Sequence, residues 1–138
     1  MKQLSLFRGR KQRGFRAPPP LEFAGHALIT ALLRRWCSPS WIYTHVPLGE
    51  YRDKVTAAKL KRMGVMPGWP DFQFAGPAAS MFFLELKRRG RGRTSDAQND
   101  VIGHLISRGF DVRVVDSVDI AVSELKLRGI LPSKIEVQ

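Results

Sequence analysis

The sequence predicts an α/β domain, a mixed central sheet flanked by helices. Two observations carry that expectation. Segments of helical periodicity alternate along the chain with short runs of aromatic and β-branched residues, and strands interleaved with helices fold as a sheet with helices on its faces. The chain also has 138 residues, 43% of them hydrophobic. That length suits one compact domain, and that apolar content supplies a core and excludes a disordered chain.

The elements follow in order. Residues 1–20 read as a basic arm, with Pro18, Pro19 and Pro20 fixing φ at its end. From Leu21 to about Trp36, Phe23, Ala24, Ala27, Leu28, Ala31 and Leu32 recur at three- and four-residue steps and predict a helix. Trp41 to Val46 is aromatic and β-branched, hence a strand. A helix is expected from Asp53 to Met63, with Asp53 as N-cap and Gly64 as its stop. The run Met66-Pro67-Gly68-Trp69-Pro70 admits no regular structure. Asp71 to Phe74 and Met81 to Lys87 then read as two strands around the turn at residues 75–80. A third helix, Asp96 to Arg108, ends at Gly109. Phe110 to Val115 is a strand, and Ser117 to Arg128 is a last helix stopped by Gly129. The domain is therefore expected over residues 21–130, with 131–138 as a C-terminal tail.

Charge narrows the partner. Formal net charge is +11 and the pI is about 10.7. Such an imbalance destabilises a compact chain by self-repulsion, and an anionic partner relieves it. The cations are clustered. Lys2, Arg8, Arg10, Lys11, Arg13 and Arg16 crowd the N-terminus, and Lys87, Arg88, Arg89, Arg91 and Arg93 form a second group, together nearly half of the 23 lysines and arginines. Clustered cations in a domain of this pI are the electrostatic footprint of a nucleic-acid binder. No aromatic-studded platform for RNA bases is evident, which favours duplex or branched DNA. No stretch is apolar enough to span a membrane, and Met1 to Arg16 lack the apolar core of a signal peptide. The single Cys37 excludes an internal disulfide and a cysteine-rich zinc site. An intracellular protein is expected.

The strands around residues 75–80 hold the chemistry. With the turn centred on Ala78, antiparallel pairing sets Asp71 opposite Glu85. Like charges directly opposite are destabilising, so something positive belongs between them. Lys87 qualifies, because residues i and i+2 share a strand face. A divalent cation is the better candidate, since Mg²⁺ is held by one or two carboxylates, water and substrate phosphate. Leu84, Leu86 and Phe82 point to the opposite face, into the core, and Glu85 and Lys87 are expected to emerge at the strand's end. Glu-x-Lys alone is common on ordinary edge strands; joined to Pro70-Asp71 across a turn it is not.

Pro70-Asp71 followed by Glu85-Leu86-Lys87 resembles the PD-(D/E)xK nuclease signature. More narrowly, the chain resembles the virus-type replication-repair nuclease domain, VRR-NUC. The resemblance is carried by His45-Val46-Pro47, by the run from Leu60 to Phe72 with its Lys61-x-Met63-Gly64-x-x-Pro67-Gly68-x-Pro70-Asp71 spacing, by Phe83-Leu84-Glu85-Leu86-Lys87, and by Ser95-x-x-Gln98 before a helix. It covers about residues 21–128. It implies a restriction-endonuclease-like core, αβββαβ, here with one added helix before the second strand. It further implies Mg²⁺ or Mn²⁺, phosphodiester cleavage of branched DNA in repair or phage recombination, and a homodimer similar to Holliday-junction resolvases. The loop after His45-x-Pro47 departs from the family: Leu48-Gly49-Glu50-Tyr51-Arg52 stands where an asparagine- and glycine-rich segment is usual.

The resemblance assigns roles. Asp71 and Glu85 would bind the metal, with the Leu86 carbonyl as a third ligand, and Lys87 would steady charge developing in the reaction. Glu22 matches an acid on the family's first helix that reaches the metal through water, although the helix macrodipole favours a glutamate in a first turn regardless. Gln98 matches a glutamine beside the active site, yet Ser95-x-x-Gln98 is also a capping box. His45 either orients a phosphate or hydrogen-bonds within the fold. Arg52 and the cluster Arg88, Arg89, Arg91 and Arg93 are the candidate DNA contacts. His26 and His104 read as structural residues, and in the absence of a Cys/His cluster no zinc site is expected. Two other functions compete: a non-catalytic DNA-binding protein on a nuclease-like fold, from which Asp71, Glu85 or Lys87 would be missing, and an RNA-processing nuclease.

Overall fold

The computed structural model describes residues 21–47, 53–87 and 95–135. Its elements run α1 (Leu21–Trp36), β1 (Ile42–His45), α2 (Lys54–Arg62), β2 (Phe72–Ala75), a 3₁₀ turn (Pro77–Ala79), β3 (Met81–Leu86), α3 (Asp96–Ser107), β4 (Asp111–Val115) and α4 (Val118–Leu127). The expected order is observed, including the added helix α2. The four strands form one mixed sheet in the order β1-β2-β3-β4, antiparallel except for the parallel pair β3/β4.

Strand alternation sorts the core onto two faces. Phe72 and Phe74 on β2, with Phe82, Leu84 and Leu86 on β3, pack against Ile29 and Leu33 of α1 and Val122 and Leu125 of α4. On the opposite face Phe83 and Val112 pack against Val101 and Leu105 of α3. β3 lies between β2 and β4 and is covered on both faces, so it reads as an almost unbroken apolar run. An edge-strand reading of Glu85 fails for that reason.

The register of the β2–β3 hairpin is as expected. Phe72 pairs with Leu84 and Phe74 with Phe82, so the residues beyond them, Asp71 and Glu85, stand opposite one another. The turn is tight enough to hold Ala78 and Ala79 at positive φ, 53° and 60°.

Helices α2, α3 and α4 are bounded at both ends by local chemistry. Asp53, Ser95 and Ser117 accept hydrogen bonds from the exposed N–H groups at the starts of α2, α3 and α4. Gly64, Gly109 and Gly129 follow those helices in the left-handed conformation.

Two features go beyond the expected element order. The segment read as a tail contributes Leu131 and Ile135 to the main core, next to Ile130. Three apolar residues in an aperiodic stretch around Pro132 carry no helical or strand signal, although burial of their side chains holds them in place. The second is α2, which has no buried residue, in keeping with its polar sequence.

Candidate active site

β2 and β3 bring Asp71 and Glu85 to neighbouring strand ends. Backbone amides knit them together: the Asp71 N–H donates to Glu85 Oε2 at 3.0 Å, and the Leu86 N–H donates to Asp71 Oδ2 at 2.9 Å. Both residues are buried, Glu85 to within 1%. Glu85 was expected to emerge at the strand's end. It is instead enclosed, because α3 and the residue after β3 close over it.

The enclosing groups are Lys87 and Gln98. Lys87 Nζ lies 2.6 Å from Glu85 Oε1. Gln98 Nε2 donates to the same oxygen at 2.7 Å, while Gln98 Oε1 accepts from Lys87 Nζ at 2.8 Å and from the Ser95 N–H at 3.1 Å. Two donors face the amide oxygen and a carboxylate faces its nitrogen, so the network admits one amide orientation. Gln98 completes the capping box of α3 and also bridges Glu85 to Lys87.

Burial and neighbours separate the two carboxyls. Burial, reinforced by the negative Asp71, pushes the Glu85 pKa up to about 7 against the opposing pull of Lys87. Burial also raises Asp71, but hydrogen bonds from His26 and the Leu86 N–H outweigh it and hold Asp71 below the usual carboxylate range. Asp71 therefore ionises first. A second negative charge at Glu85 is resisted, and the donor set is short of positive charge.

That shortfall fits a divalent metal. Two adjacent carboxylates offer the oxygen donors that Mg²⁺ or Mn²⁺ prefers, and a cation there would relieve the repulsion that raises Glu85.

A residue missed by the sequence reading stands on the other side of Asp71. His26 Nε2 lies 3.0 Å from Asp71 Oδ2. The approach depends on Gly25, where an added Cβ would sit 2.7 Å from Leu86 Cδ2, so α1 rides directly on β3. His45, paired with Phe72 across β1 and β2, completes a group of His26, His45 and Asp71 whose ligand atoms all lie within 4.8 Å of one another. His26, read from the sequence as structural, thus stands beside Asp71 and within a His26–His45–Asp71 group that the sequence reading did not foresee. A signal was available: His26 stands four residues after Glu22 and so shares its helix face. His104 does behave structurally, its Nδ1 lying 2.9 Å from Arg108 at the end of α3.

Other expected site residues are placed less fully. Glu22 lies in the first turn of α1, with its side chain outside the described residues. Arg52, Arg88, Arg89, Arg91 and Arg93 also fall outside them. The Leu86 backbone lies between Glu85 and Lys87, anchored to Asp71 through its N–H. Among the described residues, no helix is long and apolar enough to cross a membrane.

A mixed sheet between helices, with paired carboxylates and a lysine at the ends of its central hairpin, is the restriction-endonuclease-like fold. Within that class the chain has the fold of VRR-NUC domain structures. A structure described as a VRR_NUC domain protein matches with a TM-score of 0.63 at 22% identity, over 80% of this chain and 89% of its own length. A second, described as a VRR_NUC domain, matches with a TM-score of 0.52 at 18% identity, over 77% of this chain and 94% of that one. No protein-family model and no curated protein matches the chain.

Proposed function

We propose that the chain is a divalent-metal-dependent endonuclease of the VRR-NUC kind, hydrolysing phosphodiester bonds in branched DNA such as a four-way junction, and acting as a homodimer. The observation that carries this reading is the buried pair Asp71 and Glu85, with Gln98 locking the half-buried Lys87 against Glu85. A solvated surface ion pair would have no need of burial or of a bridging amide.

Asp71 and Glu85, with the Leu86 carbonyl, would hold Mg²⁺ or Mn²⁺, and Glu22 would reach it through water. The bound metal supplies Lewis-acid polarisation of the scissile phosphate and a water of lowered pKa. Lys87 is fixed beside Glu85 and is placed to stabilise negative charge developing on the phosphate. Gln98 orients Lys87, and His26 orients Asp71 and keeps it ionised. The net charge of +11 and the arginines after β3 favour DNA as the polyanion.

The test compares a four-way junction, a flap, a splayed arm, linear duplex DNA and single-stranded RNA. Cleavage of branched DNA is expected in Mg²⁺ or Mn²⁺, with none in EDTA. Lys87→Ala should lose cleavage and keep junction binding, because one cation among many adds little affinity. Cleavage in chelator, or by Lys87→Ala at the wild-type rate, would overturn the mechanism. Cutting of RNA alone would reassign the substrate, and binding without cutting would mark a non-catalytic DNA-binding protein.

A further inference from the structure

Beside Asp71 stand two imidazoles, of which the nuclease reading uses only the hydrogen bond from His26. His26 comes from the middle of α1 and His45 from the end of β1, and the two rings lie 5.2 Å apart over Phe72, whose centroid is 5.6 Å and 5.2 Å from them. Over that apolar floor the two imidazoles and the Asp71 carboxylate present nitrogen and oxygen donors to one region of space.

We propose that His26, His45 and Asp71 bind one divalent transition-metal ion of the imidazole-preferring class, Zn²⁺ or Co²⁺ rather than Mg²⁺. The ligand atoms lie within 4.8 Å of one another. His26 Nε2 and Asp71 Oδ2, 3.0 Å apart as a hydrogen-bonded pair, need separate only to about 3.4 Å to share a tetrahedral ion with bonds of about 2.1 Å. His45 is exposed and lies at the strand's end, where a bound ion remains open to solvent. Imidazole nitrogens favour Zn²⁺ and its neighbours, whereas Mg²⁺ selects oxygen. Three protein ligands leave a coordination position for water or a phosphate oxygen, the pattern of an open rather than a structural site. The Leu86 N–H on Asp71 Oδ2 supplies the outer hydrogen bond that orients a ligating carboxylate. The site would also give the chain two ions of different preference sharing Asp71, the arrangement of two-metal hydrolases. The inference shares Asp71 with the nuclease reading, but ion binding is measurable without DNA.

Metal-stripped, untagged full-length protein is titrated with Co²⁺, followed by calorimetry and by the visible absorption of the bound ion, and then with Zn²⁺ in competition. A Co²⁺ with nitrogen-ligand absorption bands is expected, displaced by Zn²⁺ and not by equimolar Mg²⁺. Changes to groups around a ligand already weaken metal sites about 10–100-fold, so His45→Ala, which removes a ligand, should weaken Co²⁺ binding by at least about tenfold. His26→Gln should do the same, while His104→Ala should leave Co²⁺ binding intact. His45 is exposed, so His45→Ala remains informative should His26→Gln fail to fold. Wild-type Co²⁺ affinity and absorption in His45→Ala would overturn the site. Failure of the nuclease reading shows separately, as absence of cleavage in every metal while Co²⁺ still binds.

Discussion

Gly68 sits in the irregular run before Asp71, and its replacement tests how that run positions α3. Its φ is +87°, and a Cβ there would lie 2.3 Å from the Ala97 carbonyl oxygen, 2.4 Å from the Ala97 carbonyl carbon and 2.7 Å from the Gln98 nitrogen. Gly64 has the same backbone conformation, φ +88°, with nothing within 4 Å of the added carbon. Alanine at either site carries the left-handed cost of about 1–2 kcal/mol, offset by up to about 1 kcal/mol from the stiffer unfolded chain. Gly64→Ala should therefore lose about 1 kcal/mol. Gly68→Ala adds a clash with backbone atoms that no rotamer change relieves, and overpacking of this kind costs about 1–3 kcal/mol. A loss of about 3 kcal/mol is expected, so the two variants should differ by about 2 kcal/mol in urea unfolding. Gly103, helical and with open space around it, supplies a control of opposite sign, Gly103→Ala gaining up to about 1 kcal/mol. Relief of the clash moves the first turn of α3, so cleavage in Gly68→Ala should fall further than DNA binding. Equal losses in Gly64→Ala and Gly68→Ala would refute the close approach of the run to α3.

Leu131 is 1% exposed, and Leu131→Ala should cost about 2–5 kcal/mol in denaturant unfolding; a loss under about 0.5 kcal/mol would return the segment after α4 to the status of a tail. Arg128 donates to Asp111 at 2.5 and 2.9 Å and to Glu124 at 2.5 Å. The hydrogen bond from Arg128 lowers the Asp111 pKa, so its stabilisation is complete above the ordinary carboxylate pKa and is lost as pH falls through the lowered value. The melting temperatures of wild type and Asp111→Asn should therefore differ at neutral pH and converge in acid; a gap independent of pH would show that the charge is not involved.

Much of the fold was legible because each element carries local punctuation. Asp53, Ser95 and Ser117 cap where their sequence positions imply, and Gly64, Gly109 and Gly129 end the helices. The β2–β3 register was legible for a different reason: a short turn leaves one pairing that keeps Phe72, Phe74, Phe82 and Leu84 on one face. That register carried Asp71 to Glu85. What was not legible depends on contacts between distant segments. Burial of Ile135 requires α4 and the sheet to be assembled first. The contact of His26 with Asp71 requires α1 to cross Leu86 at Gly25, and no periodicity within α1 encodes which strand end lies beneath it. Glu85 was read as emerging, because alternation gives the face a residue points to and not what covers that face.

Gln98 shows how the fold and the site are made interdependent. Its amide oxygen accepts the Ser95 N–H, one of the amides left without an intrahelical partner at the start of α3. The same oxygen accepts Lys87, and the nitrogen holds Glu85. Fraying of the first turn of α3 therefore breaks the cap and releases Lys87 in one event. Release of Lys87 leaves a buried Glu85 facing Asp71 with less positive charge, which favours protonation of Glu85. The reverse also holds: the charge network pins a helix end that would otherwise rest on a single side-chain cap. Ordering Lys87 costs side-chain entropy, but Gln98 is already ordered by the helix it caps, so the site draws on rigidity that folding has supplied. The geometry that caps α3 is thus also the geometry that holds the lysine.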